Sequence, residues 1–521
     1  MIPRLWQRDT ALFAPASAGP AVHGAIARRL GWLDLPVTMA PRVAEIREVI
    51  AGARADGLTH LVLLGMGGSS LAADVLRESI PHSREAATLT VLDSTDERTV
   101  LQVANASDAR RTLFLVASKS GTTIEVDALE RFFRAWVGRG VGANAGQHFI
   151  AVTDPDTPLA AHANAAGYRH TFLNPPDIGG RYAALSLFGL VPAAWLGMDL
   201  DAMLTDAGEM ADRCRQAPSH NPGYALGDFI AAQAIAGRDK LTVLPTVPFG
   251  MWIEQLVAES TGKDGKGALP IVDEPAGDMT EYRHDRAFVA MITERGSRTA
   301  ALADQFERAG HPVFRIDASA STLAAEFFRW EFATAVAGHA MGVNPFDEPD
   351  VADAKARTRS VLAHFIAHGA WPDAPDVRTG DGFEIRRLSA RADAPAGPGY
   401  VALLDYLPTD RNRMGLAERT RRRFRRQTVA ATTYGMGPRY LHSTGQYHKG
   451  GPNSGHFILM TSIDETATDV PGAGYTFSTL KHAQALGDAA ALTAAGRDVL
   501  HIHLTRTSDE PSMDIERVLT E

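Results

Sequence analysis

The feature that most constrains this 521-residue chain is a repeated local pattern. A short apolar run ends in a loop of glycines, hydroxyls or acids, and a segment with helical spacing follows. Residues 61–64 run into Gly65-Met66-Gly67-Gly68-Ser69-Ser70 and a helix expected over 71–79. Residues 88–92 end at Asp93-Ser94, and residues 149–152 end at Thr153-Asp154-Pro155. Residues 112–116 lead into Ala117-Ser118-Lys119-Ser120-Gly121-Thr122-Thr123 and an amphipathic segment over 124–136. Strands that alternate with helices in this way make a parallel, doubly wound α/β sheet. Ligands of such sheets bind outside the carboxyl ends of the strands, where strand order reverses. The hydroxyl loop has the makings of an anion hook. A helix start offers free N–H groups and partial positive charge. Ser118, Ser120, Thr122 and Thr123 add donors, and Gly121 lets the backbone close in. An N-cap with spare hydroxyls is the plainer reading of the same residues.

Length and composition set the limits. A chain this long accommodates about three domains. Acidic residues outnumber basic ones, 61 to 52, for a net charge of −9, which argues against nucleic-acid binding as the main function. Cys214 is the only cysteine, so neither an intrachain disulfide nor a multi-thiolate zinc site is available. No apolar run reaches the ~18 residues of a membrane span, and the first residues show no signal-peptide core. The cytoplasm is the expected compartment. The basic run 411–426 reads as a solvated or oligomer-facing helix rather than a nucleic-acid patch. Residues 371–399, rich in Pro, Asp and Gly, read as a linker with one strand over 383–388.

Further along, Asp177-Ile178-Gly179-Gly180-Arg181-Tyr182 sets an arginine beside two glycines at a helix start, where it can clamp an anion. Glu259 lies near a helix end, where the dipole opposes a carboxylate and raises its basicity.

Taken in order, these pieces resemble the phosphoglucose isomerase family, built from paired sugar-isomerase (SIS) domains, over most of residues 55–360. Gly65-Met66-Gly67-Gly68-Ser69 resembles the family's first glycine loop, and Ser118-Lys119-Ser120-Gly121-Thr122-Thr123 its phosphate loop. Gly179-Gly180-Arg181-Tyr182 resembles its GGR element, with Ala183 where serine is usual. Glu259-Ser260-Thr261-Gly262-Lys263 resembles the segment of the catalytic base, and the stretch from Phe346 to Lys355 the C-terminal signature. That signature departs from the family at three places: Glu348 stands for Gln, Asp350 for Gly and Asp353 for Glu. A carboxylate at 348 beside a bound phosphate would be repulsive unless it points away or pairs with a cation. The segments Arg4-Leu5-Trp6 and Ser443-Thr444-Gly445-Gln446-Tyr447-His448-Lys449-Gly450-Gly451-Pro452-Asn453 resemble, more narrowly, the isomerase half of bifunctional transaldolase/phosphoglucose isomerase proteins.

The resemblance implies a helical segment over 1–57, SIS domains over 58–220 and 221–370, and a C-terminal α/β unit over 371–521. It implies interconversion of glucose 6-phosphate and fructose 6-phosphate through an enediol(ate). A dual glucose/mannose specificity or a non-catalytic sugar-phosphate-binding SIS protein are the alternatives. Glu259 would carry the proton, Arg181 stabilise the oxyanion, and Lys355 with a histidine open the ring. The family's histidine sits in a Gly-Gln-His element that is missing between Lys263 and Asn344, where His284 and Arg286 are the nearest candidates. His448 in the tail is therefore favoured over His442. Gly68, Ser69, Ser118, Lys119, Ser120, Thr122, Thr123 and Gly180 would bind substrate. No metal or organic cofactor is implied; His442, His448 and His456 match no standard metal spacing. The implied partners are the sugar phosphate and a second copy in a homodimer, with a functional link to a transaldolase and neither nucleic acid nor membrane.

Overall fold

Strands buried between two helical layers read as continuous apolar runs, and edge strands do not. The first sheet shows both kinds. Its strands are β1 (His60–Gly65), β2 (Thr88–Leu92), β3 (Thr112–Ala117), β4 (Phe149–Thr153) and β5 (His170–Leu173), all parallel, in the order β2-β1-β3-β4-β5. β3 and β4 are buried along their whole length, whereas the edge strands β2 and β5 are buried only in part. A computed structural model of the chain describes residues 1–79, 88–244, 249–294, 296–319, 321–372, 377–389, 399–464 and 466–520. Strand order reverses at β1, whose register with β3 pairs Gly65 with Ala117. The glycine loop before α1 (Leu71–Ser79) and the hydroxyl loop before α2 (Ile124–Val141) therefore leave the same sheet edge side by side.

A second parallel sheet contains β6 (Lys240–Leu244), β7 (Leu269–Ile271), β8 (Arg286–Ile292) and β9 (Val313–Asp317), ordered β7-β6-β8-β9. It carries α3 (Phe249–Thr261) and α4 (Leu323–Met341). α4 is buried on nearly every side, as expected of a helix that is apolar all round. α5 (Pro349–His368) follows.

The third sheet is mixed, ordered β10-β11-β15-β14-β12-β13. It comprises β10 (Val377–Gly380), β11 (Phe383–Ser389), β12 (Tyr400–Asp405), β13 (Ala431–Met436), β14 (Gly455–Ser462) and β15 (Asp498–Leu504). The hairpin β10–β11 is antiparallel and attaches antiparallel to β15; the others are parallel. Without the hairpin, the order β13-β12-β14-β15 repeats the second-first-third-fourth arrangement of the other two sheets. α6 (Gly445–Gly450) and α7 (Phe477–Ala494) lie on this unit. α7 reaches the first sheet, where Phe477 meets Phe132 edge-on at 5.7 Å and joins its core.

The N-terminal segment is pinned at Trp6, whose Nε1 donates to the Cys214 carbonyl at 3.2 Å beneath the Arg215 guanidinium. The basic helix Arg413–Thr428 is solvated on one side only, where Arg419, Arg422 and Arg426 are exposed. Arg413, Arg421 and Arg425 are buried and bonded to Asp405, to the Val272, Asp273 and Thr432 carbonyls, and to Glu281. Of the stretch expected as a linker, residues 373–376 and 390–398 lie outside the described residues; the rest supplies the β10–β11 hairpin. Among the described residues no helix is long and apolar enough to cross a membrane.

Candidate active site

The hydroxyl loop is held by its own hydroxyls. Ser118, 3% exposed, shares a hydrogen bond with Thr123 Oγ1 at 3.0 Å and accepts the Gly121 N–H at 3.1 Å. Gly121 takes φ +64°, and a Cβ there would lie 2.8 Å from Thr157, so only glycine fits the turn. Ser118 is thus a staple beneath the loop rather than a surface donor. Lys119 turns away and forms an ion pair with Asp154. Ser120, Thr122 and Thr123 line a pocket whose other walls include Lys355 and Arg359 on α5, with His442 and Gln484. Thr123 caps α2 without a side-chain cap bond, which leaves first-turn N–H groups of α2 without an intrahelical partner. Lys355 and Arg359 are one helical turn apart, both exposed, and neither is ion-paired among the described residues.

Two glycines let the neighbouring loops meet. A Cβ on Gly68 would sit 2.1 Å from the Gly180 carbonyl oxygen, and one on Gly67 would sit 2.7 Å from Gln255 Nε2 and 2.8 Å from the His442 carbonyl. Gly68 therefore acts through close packing against the Gly180 backbone, whereas a Cβ on Gly180 itself would meet nothing within 4 Å. Ser69 lies in the adjoining 3₁₀ turn, half-buried, and does not line the pocket.

Behind this contact lies a charged cluster. Arg181, 3% exposed, donates Nε to Ser260 Oγ at 2.8 Å and one terminal nitrogen to the Pro345 and Asp347 carbonyls, both at 2.8 Å. Its other terminal nitrogen lies 3.2 Å from Glu259 Oε1 and 3.1 Å from Glu348 Oε2. Removing Arg181 would leave the buried Glu259 carboxylate without its cation, a change that costs about 3–5 kcal/mol. Glu259, 7% exposed, also accepts from Gln255 Nε2 at 3.1 Å. Burial raises its carboxyl above the usual range and the Glu348 charge adds to this, while Arg181 opposes both. Gln255 donates in addition to the His442 carbonyl at 2.8 Å and so joins the carboxylate to the histidine loop. Glu348 does not face the hydroxyl loop bare: it is paired to Arg181 and, at 3.4 Å, to Arg29.

The tail histidine is the main correction. His448 is 2% exposed in α6, stacked on Tyr400 with its Nδ1 3.1 Å from the Tyr400 hydroxyl. Burial, with Lys449 and Arg497 nearby, drives its pKa well below the usual histidine value. It belongs to the core of the third sheet, and the helical turn of α6 aims it inward. His442, at the end of the preceding 3₁₀ turn, is the histidine in the pocket. Its Nε2 lies 2.9 Å from Glu125 Oε1, in the first turn of α2, and Gln484 donates to the same oxygen at 2.7 Å. Burial would raise the Glu125 carboxyl, but the facing His442 holds it below the usual range. His456 pairs instead with Asp498, so the three tail histidines face three separate partners.

Comparison with known proteins gives the arrangement its context. The phosphoglucose isomerase family model matches residues 43–280. A glucose-6-phosphate isomerase of Symbiobacterium thermophilum is 29% identical over 391 residues, covering 64% of this chain and 86% of the relative. A "probable glucose-6-phosphate isomerase" of Natronomonas pharaonis is 32% identical over 332 residues, 60% of this chain and 73% of the relative. The chain belongs to the phosphoglucose isomerase family. Its fold matches a hypothetical protein from Thermus thermophilus, with a TM-score of 0.60 at 24% identity over 69% of this chain and 95% of that one. A glucose-6-phosphate isomerase from Chlamydia trachomatis matches with a TM-score of 0.51 at 19% identity over 70% and 78%.

Within this phosphoglucose isomerase-family chain, sequence reasoning missed Glu125, Gln255, Gln484, Arg29 and Arg359 as members of the site. Arg359 had a usable signal, the four-residue spacing from Lys355. Glu125 had none, because its partner lies 317 residues away in sequence.

Proposed function

We propose that this chain interconverts glucose 6-phosphate and fructose 6-phosphate through an enediol(ate). The phosphate docks on Ser120, Thr122, Thr123 and the free N–H groups of α2, with Lys355 and Arg359 neutralising its charge. His442, oriented by Glu125, moves the proton between the anomeric hydroxyl and the ring oxygen, with Lys355 beside it. Glu259 then carries the proton between C2 and C1, and Arg181 stabilises the developing oxyanion. Neither Ser118 nor Lys119 is asked to touch the phosphate.

The observation that carries this reading is the bridge through Gln255. It joins a buried carboxylate with elevated basicity to the histidine loop at the hydroxyl-lined pocket. A sugar-phosphate sensor would need the hydroxyl loop but no buried base beside it. Positioned acid–base groups contribute about 10²–10⁴ in rate, so Glu259→Gln should lower turnover about a thousandfold. It should also stop deuterium exchange at C2 while sugar-phosphate binding persists; unchanged exchange overturns the assignment. A coupled fructose 6-phosphate assay, run beside mannose 6-phosphate, tests the substrate and its C2 stereochemistry.

The division into an N-terminal helical segment, two SIS domains and a C-terminal unit is a proposal for limited proteolysis to test. A homodimer and a transaldolase link are further proposals, tested by sedimentation and by co-purification with a transaldolase.

A further inference from the structure

Four charged side chains stand in a row behind the pocket: Glu259, Arg181, Glu348 and Arg29. One terminal nitrogen of Arg181 lies between the two carboxylates, 3.2 Å from Glu259 and 3.1 Å from Glu348. Arg29, from the N-terminal segment, closes the row on Glu348 at 3.4 Å and donates to the Phe346 carbonyl at 3.2 Å. It is carried there by the antiparallel bridge between Leu30 and Ile178, beside the Gly31 N–H bond to the Asp177 carbonyl at 2.8 Å. With a neutral glutamine at 348, the Arg181 charge would be free to serve Glu259 alone.

We infer that Glu348 is a positioning residue for the proton-carrying base: anchored by Arg29, it takes a share of the Arg181 guanidinium and leaves Glu259 only partly neutralised. The inference rests on the isomerase reading with Glu259 as base. The charged groups facing Glu259 are Arg181, Glu348 and His442, with Gln255 as its neutral donor. Those facing Glu348 are Arg181 and Arg29, which together hold its carboxyl down to about 2 against its partial burial. Lys263 stands nearby, paired with Asp347 at 2.8 Å; burial and the Arg181 charge pull it down to about 8. At neutral pH Glu348 is therefore a fixed anion, and it raises the basicity of Glu259 without itself touching a proton in flight. Because Arg181 is also held by two backbone carbonyls and Ser260, it cannot swing wholly to either carboxylate.

Two substitutions should move the acid limb of the kcat/KM profile in opposite directions. Glu348→Gln removes a negative charge facing Glu259, so the Glu259 carboxylate is better stabilised. The limb should fall by about one pH unit, with a loss of about threefold on the plateau from the weaker base. Arg29→Gln removes a positive charge from the far end, so the limb should rise. Both side chains are about 30% exposed, which favours folding of either variant. A merely structural role would leave the limb in place or shift it the same way in both variants, and either result overturns the inference. The isomerase reading fails separately, if the wild-type protein shows no turnover. In that case the Glu259 carboxyl is titrated without substrate by infrared difference, its band assigned by its loss in Glu259→Gln. A band that titrates alike in wild type and Glu348→Gln overturns the inference on its own; a downward shift supports it.

Discussion

His442 and His448 stand six residues apart and live in different chemistry. His442 ends a 3₁₀ turn at the pocket with its imidazole against the Glu125 carboxylate. His448 sits in α6 against the Tyr400 phenol, sealed from water. Burial and the neighbouring Lys449 and Arg497 charges keep the His448 imidazole neutral. Partner and burial, rather than residue type or motif, decide which histidine can trade protons.

The contrast is open to direct attack. The largest expected effect is His442→Asn, which should cut turnover of closed-ring fructose 6-phosphate about a hundredfold. Open-chain substrate should suffer less, and equal losses on both would sink the ring-opening role. Glu125→Gln keeps the hydrogen bond and removes the charge, so a loss of about tenfold is expected, concentrated in the ring-opening step. Arg359→Ala should raise KM about tenfold with kcat little changed, the signature of lost phosphate binding. His448→Phe should leave kcat within about twofold and register chiefly in Tm; a large kinetic loss would return the histidine role to the core position.

The smallest effect extends the contrast to carboxyls. Glu331 in α4 is fully buried, and burial raises its pKa well above the usual value against the opposing pull of the Ala184 backbone. A carboxyl raised on folding contributes its full stability below the ordinary carboxylate range and loses it as pH rises toward the folded pKa. Glu331→Gln should therefore raise Tm at pH 8 more than at pH 5, by an equivalent of about 1–3 kcal/mol. A gain equal at both pH values would show that Glu331 does not titrate on folding.

Much of the first sheet was legible from sequence because its central strands are uninterrupted apolar runs. The 71–79 helix starts and the 88–92 strand ends at the expected residues. The strands that escaped notice are short or peripheral: β5 and β13 at sheet edges, three-residue β7, and exposed β10. Arg181 and Glu259 could be nominated from the sequence because each stands in a local motif. His448 was favoured because Gly445-Gln446-Tyr447-His448 mimics a family element in letters, but the segment folds as a helical turn that buries His448. Lys119 was assigned to the phosphate from its loop, but Asp154 competes for it from the end of β4, a partner that no local pattern announces.

The bond between His442 and Glu125 has a mechanical side. One partner rides the connection between β13 and β14, the other the first turn of α2, so the proposed centre exists only while the third sheet stays docked on the first. Catalysis then gauges docking rather than folding. In rising denaturant, turnover should vanish while most helical signal remains, since elements open in separate cooperative units. On dilution it should return in step with the re-seating of α7 against Phe132.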